Sequence, residues 1–263
     1  MTENSVKKYS EQLGLSAFLY IFIIEAGTFI MGLVPETGLL YWFVYAVTLT
    51  LASAAACRMI GNSSIETEAK AKQSYLMIPT AFIACFSMNF LFAGGTGSET
   101  LTNGSLAARL LFQSLVPAVC EEFYFRKYIT GFLTRNGREN AVLVSALIFA
   151  ASHLSFRRFI PAFLCGLVLG ELYQETHNVY MCMIVHALNN ASAIFYGYAD
   201  GRAFTIINYV LYIIGIISAM MIAYKLFRNI RNGKYGGISE VFSGIPMILL
   251  LVACLIVAAG GIL

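Results

Sequence analysis

The sequence predicts an all-α fold: a polytopic membrane helical bundle of about eight or nine transmembrane helices. Three observations lead there. Of 263 residues, 59% are hydrophobic and 12% are charged, about half the ~25% charge of an average soluble domain. Mean hydropathy is +0.74, so the chain lacks the polar skin that a water-soluble fold of this size needs. Apolar runs close to the roughly 20 residues of a spanning helix recur along the whole chain. The net charge of +3, without a basic tract to follow phosphates, excludes nucleic acid as a partner and leaves the lipid bilayer.

Taken in order, the candidate spans fall at 13–34, 39–57, 75–94, 106–134, 140–156, 159–176, 179–199, 203–227 and 242–263. The first comes after Lys7 and Lys8. It is longer than a cleaved signal core and further spans come at once, so it reads as a retained anchor. The polar stretch 60–74 and the basic stretch Lys225–Lys234 are the sizeable loops. Pro117 predicts a break or kink within 106–134, with 105–116 along the interface and 117–134 crossing. Gly166 and Gly170 form a GxxxG pair that predicts close helix packing. Glu25 and Glu171, inside apolar runs, read as partners for neighbouring helices. His177 lies in a turn and reads as interfacial. The 20 Phe and 15 Tyr suit lipid contact and interface belts. The six cysteines show no CxxC pair and read as packing residues.

Orientation is read from the basic residues. With the N-terminus inside, Lys7, Lys8, Arg58, Lys70, Lys72, Arg135, Arg138, Lys225, Arg228, Arg231 and Lys234 are cytoplasmic, against Arg109, Arg157, Arg158 and Arg202 outside. The expectation is an integral, multi-pass plasma-membrane protein, bacterial, with a cytoplasmic N-terminus.

Ionisable groups inside a bilayer cost about 2.5–3.5 kcal/mol each on insertion scales and persist where they pair or line a wet cavity. Here they concentrate in residues 117–190. Glu121 and Glu122 are adjacent, and Glu122 stands four residues before Arg126, the favourable order for a helical pair. Glu121 points about 100° away, free for other work. Ser145, Phe149 and His153 share a stripe, as do His186 and Asn190. Two of the chain's three histidines and its one adjacent acid pair thus fall in consecutive apolar helices.

EExxxR, FxxxH and HxxxN in this order across successive membrane helices resemble the CPBP family, which comprises CAAX prenyl endopeptidases and bacteriocin-processing or bacteriocin-immunity membrane proteins. The likeness covers roughly 105–195: Glu121, Glu122 and Arg126 fit the first motif, Phe149 and His153 the second, His186 and Asn190 the third. It implies one continuous membrane domain in three parts: N-terminal helices in 1–104, a catalytic core in 105–199 and C-terminal helices in 200–263.

Peptide hydrolysis needs an activated water, a stabilised oxyanion and a proton for the leaving amine. Glu121 can act as general base, His153 can hold the same water, and His186 with Asn190 can donate to the oxyanion. Glu122 and Arg126 would steady the helix around Glu121. The resemblance implies the same assignment. Glu121, His153 and His186 are also candidate ligands for zinc, with water in the fourth place, and metal-bound and metal-free chemistry both stay open. The soluble HExxH zinc helix is absent. An aspartyl mechanism needs two aspartates, and the chain has only Asp200; Gly95–Ser98 reads as a turn rather than a serine-protease motif. The expectation is therefore an intramembrane endopeptidase acting on a peptide or lipidated protein, at a CAAX-like C-terminus or a leader. The alternatives are a non-catalytic immunity or scaffold protein that binds another membrane protein, and a small transporter. Depth sets the condition: Glu121 and His153 must meet at one level, or the chemistry fails.

Overall fold

The computed structural model describes residues 3–35, 39–60, 75–93, 105–196, 202–236 and 238–260. Most of loop 60–74 and the turn at Gly95–Ser98 lie outside them. Among the described residues there is no strand, and each expected span is one helical rod. The rods are α1 (Glu3–Met31), α2 (Leu39–Ile60), α3 (Met77–Ala93), α4 (106–136), α5 (Arg138–Ala151), α6 (Phe156–Thr176), α7 (Val179–Tyr196), α8 (Arg202–Arg231) and α9 (Ile245–Gly260). The protein is an all-α membrane helical bundle.

Within this set, Lys8–Met31, Leu40–Ile60, Val179–Tyr196 and Ile206–Arg231 are each long and apolar enough to cross a bilayer unaided. Rods α4, α5 and α6 are not among them. Glu121, Glu122 and Arg126 interrupt α4, Glu171 interrupts α6, and α5 has only 14 residues. Their neighbours supply the apolar cover.

Rod α4 is the centre of the bundle. Its Tyr124, Phe125, Ile129 and Leu133 have no solvent exposure. Tyr20 of α1 stacks on Tyr124 at 4.7 Å and meets Phe125 edge-on at 5.3 Å. Ser16 Oγ lies 2.9 Å from both the Tyr124 hydroxyl and the Ala56 carbonyl of α2. The first and last rods also close on each other. Ser10 Oγ donates to Val241 O at 2.6 Å and accepts from Gly244 N at 2.8 Å. Gly14 lies so near α9 that a Cβ there would sit 2.5 Å from Met247 N.

The break expected at Pro117 does not occur. The junction residues Leu110, Val116, Phe123 and Gly131 all keep right-handed helical dihedrals. Pro117 falls in the first turn of Val116–Glu122, directly after the π-helical stretch Leu110–Leu115. That wider turn gives the ring room beside the preceding carbonyls, so the rod absorbs a residue that would interrupt a uniform α-helix. A second π stretch, Phe123–Thr130, comes next. Its loosened Phe125 carbonyl is satisfied by Thr130 Oγ1 at 2.8 Å and by Ser145 Oγ of α5 at 3.1 Å.

Glu171 meets the expectation of a helix partner, with Arg138 Nη2 at 2.9 Å and Lys225 Nζ at 2.7 Å. Glu25 does not: it lies exposed on α1, because α1 packs through the opposite stripe of Leu13, Ala17 and Tyr20. His177 ends α6 in the left-handed region, with φ 49°. All six cysteines are free, and five are buried.

The GxxxG pair seats α6 on α5. A Cβ at Gly166 would stand 3.0 Å from both Cα and Cβ of Ala146, and one at Gly170 would stand 3.1 Å from Val142. Overpacking such a contact typically costs about 1–3 kcal/mol. Gly166→Leu is expected to lower the melting temperature in detergent by several degrees, whereas the same substitution at Gly236, whose nearest atom would be 3.7 Å away, leaves it nearly unchanged.

Candidate active site

The site is assembled from α4, α5 and α7 around one buried carboxylate. Glu122 and Arg126 have no solvent exposure. Arg126 Nε donates to Glu122 Oε2 at 2.8 Å across one helical turn, and Nη1 donates to Ser145 Oγ at 3.1 Å. The guanidinium also lies over the Phe149 ring, 5.2 Å from its centroid. Arg126 is thus held by α5, while its charge is matched within α4.

The other oxygen of Glu122 reaches α7. Its Oε1 lies 2.8 Å from His186 Nδ1. An ionised carboxylate can only accept, so Nδ1 carries the hydrogen and donates. The ring is thereby turned so that Nε2 faces Glu121, at 3.9 Å from Oε2. Glu122 therefore does more than steady its own helix. It fixes the rotamer and tautomer of a histidine 64 residues later. The motif spacing shows the pair with Arg126 but not this second partner, because a sequence does not say which oxygen meets which helix.

Phe149 separates the two imidazoles. It stands edge to face with His153 at 4.9 Å and with His186 at 5.9 Å. His153 Nδ1 lies 2.9 Å from the Phe149 carbonyl. A carbonyl only accepts, so this nitrogen donates, and in the neutral form of the ring Nε2 is the acceptor.

Glu121, His153, His186 and Asn190 all line one cavity of about 540 Å³. The structure thus places on one cavity wall the four side chains expected to share a pocket, although α4 runs unbroken past Pro117. Arg109, Arg157 and Arg158 line the same cavity, so three of the four arginines expected outside the cytoplasm gather at one place. Glu122 and Arg126 lie behind the polar groups, and Phe149 shares the cavity wall.

Asn89 and Asn189 also face this cavity. Asn89 Nδ2 donates to Asn189 Oδ1 at 3.0 Å and joins α3 to α7. An asparagine in the apolar run 75–94 is a signal that could have pointed here, since buried amides in membrane helices usually bond across an interface.

The described residues hold no group of three or more His, Cys, Asp or Glu gathered as metal ligands. Both histidines have Nδ1 turned to an oxygen acceptor. Such hydrogen bonds also accompany many metal-bound histidines.

Comparison with known proteins bears on the same helices. Residues 103–192 match the family described as type II CAAX prenyl endopeptidase Rce1-like. Over 212 residues, 69% of this chain and 84% of the relative, the chain is 24% identical to the membrane-embedded CAAX protease MroQ of Staphylococcus aureus (strain USA300). No solved structure matches. Both matches support the CPBP family that the motifs resemble, and with it a membrane protease.

Breaking a buried ion pair from one side typically costs about 3–5 kcal/mol, whereas replacing both partners with apolar groups is often near neutral. Arg126→Met is expected to destabilise the detergent-solubilised protein by about that amount. Adding Glu122→Gln should recover much of it, giving a coupling that a double-mutant cycle on melting temperature reads directly.

Proposed function

We propose that the chain is an intramembrane endopeptidase that hydrolyses a peptide bond with a glutamate-activated water. The observation that carries this reading is the placement of His186 Nε2 3.9 Å from Glu121, held there by the bond from Nδ1 to Glu122, on the wall of a cavity shared with His153 and Asn190.

In this reading the water sits between Glu121 and His153 Nε2. Glu121 removes a proton as the water oxygen attacks the carbonyl carbon. The carbonyl oxygen becomes negative and takes hydrogen bonds from the Asn190 amide and from His186 Nε2. For Nε2 to donate, the imidazole carries hydrogen on both nitrogens, with Glu121 and Glu122 as its counter-charges. Collapse of the intermediate breaks the C–N bond, and Glu121 returns its proton to the leaving amine. Arg126 and Glu122 touch no reacting atom; they hold the donor in place. Preorganised donors of this kind need no reorganisation when charge develops, and each is typically worth about 10²–10³ in rate.

The substrate is a peptide or lipidated protein, cut at a CAAX-like C-terminus or a leader segment. The protein is multi-pass in a bacterial plasma membrane with its N-terminus in the cytoplasm, supported by the distribution of Lys and Arg and by the staphylococcal relative.

The test is cleavage of a peptide library by purified protein in detergent. Wild type should cleave, Glu121→Ala should lose about 10²–10⁴ in rate, and Asn190→Ala about 10²–10³. Equal cleavage by wild type, Glu121→Ala and His186→Ala would remove the chemistry from these residues. Chelator is expected to leave the rate unchanged; a loss restored by Zn²⁺ would assign the water to a metal instead.

A further inference from the structure

A second cavity, of about 430 Å³, lies between α3, α5, α6 and α8. It occupies the opposite half of the bundle from the candidate active site. Rod α6 contributes Pro161, Cys165 and Leu169 to the active-site cavity and Val168, Leu172 and Glu175 to this one, and α3 likewise serves one with each end. The interior is lined by Ala81, Ala84, Val142, Leu167, Val168 and Leu226. Its size falls within the roughly 300–1,000 Å³ of small-molecule sites, and its walls suit an aliphatic chain.

The rim is built differently. Lys225 Nζ reaches Glu171 at 2.7 Å, Arg138 reaches Glu171 at 2.9 Å and also pairs with Glu175, and Lys234 Nζ reaches Glu139 at 2.9 Å. These pairs are partly exposed, so they exchange partners at little cost. One rim group is unsatisfied among the described residues. Asn229, on α8 one turn beyond Lys225, is 2% exposed; its amide group meets the Tyr235 hydroxyl on the same cavity wall, which leaves its Oδ1 buried with no hydrogen-bond partner. It lines the cavity. A buried acceptor of this kind calls for a donor.

We propose that this cavity holds one acyl chain of a glycerophospholipid whose headgroup joins a phosphate to a primary ammonium. The chain fills the apolar interior. Lys225 and Arg138 take the phosphate, and the ammonium donates to Asn229 Oδ1 beside the Glu139 carboxylate. Glu139, Glu171, Glu175 and Lys225 line the cavity, with Arg138 and Lys234 standing beside it as partners of those carboxylates, and this mixed set matches a headgroup carrying both signs better than a purely anionic one. A quaternary ammonium has no N–H and would leave the Asn229 oxygen unpaired, so the site discriminates between ethanolamine and choline headgroups. The proposal is independent of the protease reading.

The experiment is native mass spectrometry of the full chain in detergent, offered an equal mixture of phosphatidylethanolamine and phosphatidylcholine with the same acyl chains. Wild type is expected to retain the ethanolamine lipid over the choline lipid by about tenfold, the scale of one hydrogen bond to a charged group. Asn229→Leu should keep lipid but bring the ratio to one. Ala84→Phe should lower retention of both lipids, and Val168→Phe serves the same purpose if that variant melts early. A wild-type ratio of one, an unchanged ratio in Asn229→Leu, or full retention in well-folded cavity-filled variants would each overturn the proposal.

Discussion

The bundle depends on one carboxylate kept where carboxylates are costly. Glu122 has no solvent exposure, and an isolated charge there would be strongly unfavourable. Its two oxygens are engaged by different helices: Oε2 takes Arg126 of its own rod and Oε1 takes His186 of α7. Arg126 is in turn tied to Ser145 and laid over Phe149 of α5. Three rods therefore share one charged network. A small displacement of any of them leaves a buried charge short of a partner, so their relative register is sharply defined in a region where apolar packing alone would tolerate sliding.

That network explains the division of labour among the helices. Rods α4, α5 and α6 are too polar or too short to qualify as membrane spans by themselves, while α1, α2, α7 and α8 qualify. Of these four, α7 brings the most polar groups to the site, a histidine and two asparagines near its middle. The outer helices present Phe, Ile, Met and Tyr outward, as in the exposed Ile213, Ile217, Met221 and Tyr224 of α8. They insulate the polar centre. The two π-helical stretches of α4 serve the same end. They flank the α-helical turn in which the step of about 100° between successive residues turns Glu121 to the cavity while Glu122 faces inward with Arg126. Turns of this kind often mark functional sites because they aim side chains that a regular helix would not.

The number and order of helices are legible in the sequence because the apolar runs are long and the breaks between them are polar, so length and hydropathy alone separate one rod from the next. The motif stripes are legible too. Spacings of four residues place Glu122 with Arg126 and His186 with Asn190 whatever the rest of the fold does, since helical geometry is local. Pro117 is the converse case. Whether a proline breaks a helix depends on the turn it sits in, and in α4 it sits in the first turn after a π-helical stretch. Glu25 escapes a sequence reading because periodicity does not reveal which stripe of an almost uniformly apolar helix meets its neighbour.

By itself the sequence determined that this chain is a helical membrane protein and which polar residues it commits to the bilayer, because burial cost and helix periodicity act on each segment separately. Only the tertiary structure decided that Glu122 orients His186, that Asn89 answers Asn189 across α3 and α7, and that Asn229 Oδ1 stands unsatisfied in a second cavity. Those are facts about the distance between residues far apart in the chain, set by how rods cross and by which oxygen of a carboxylate faces which neighbour, and no local rule of spacing contains them.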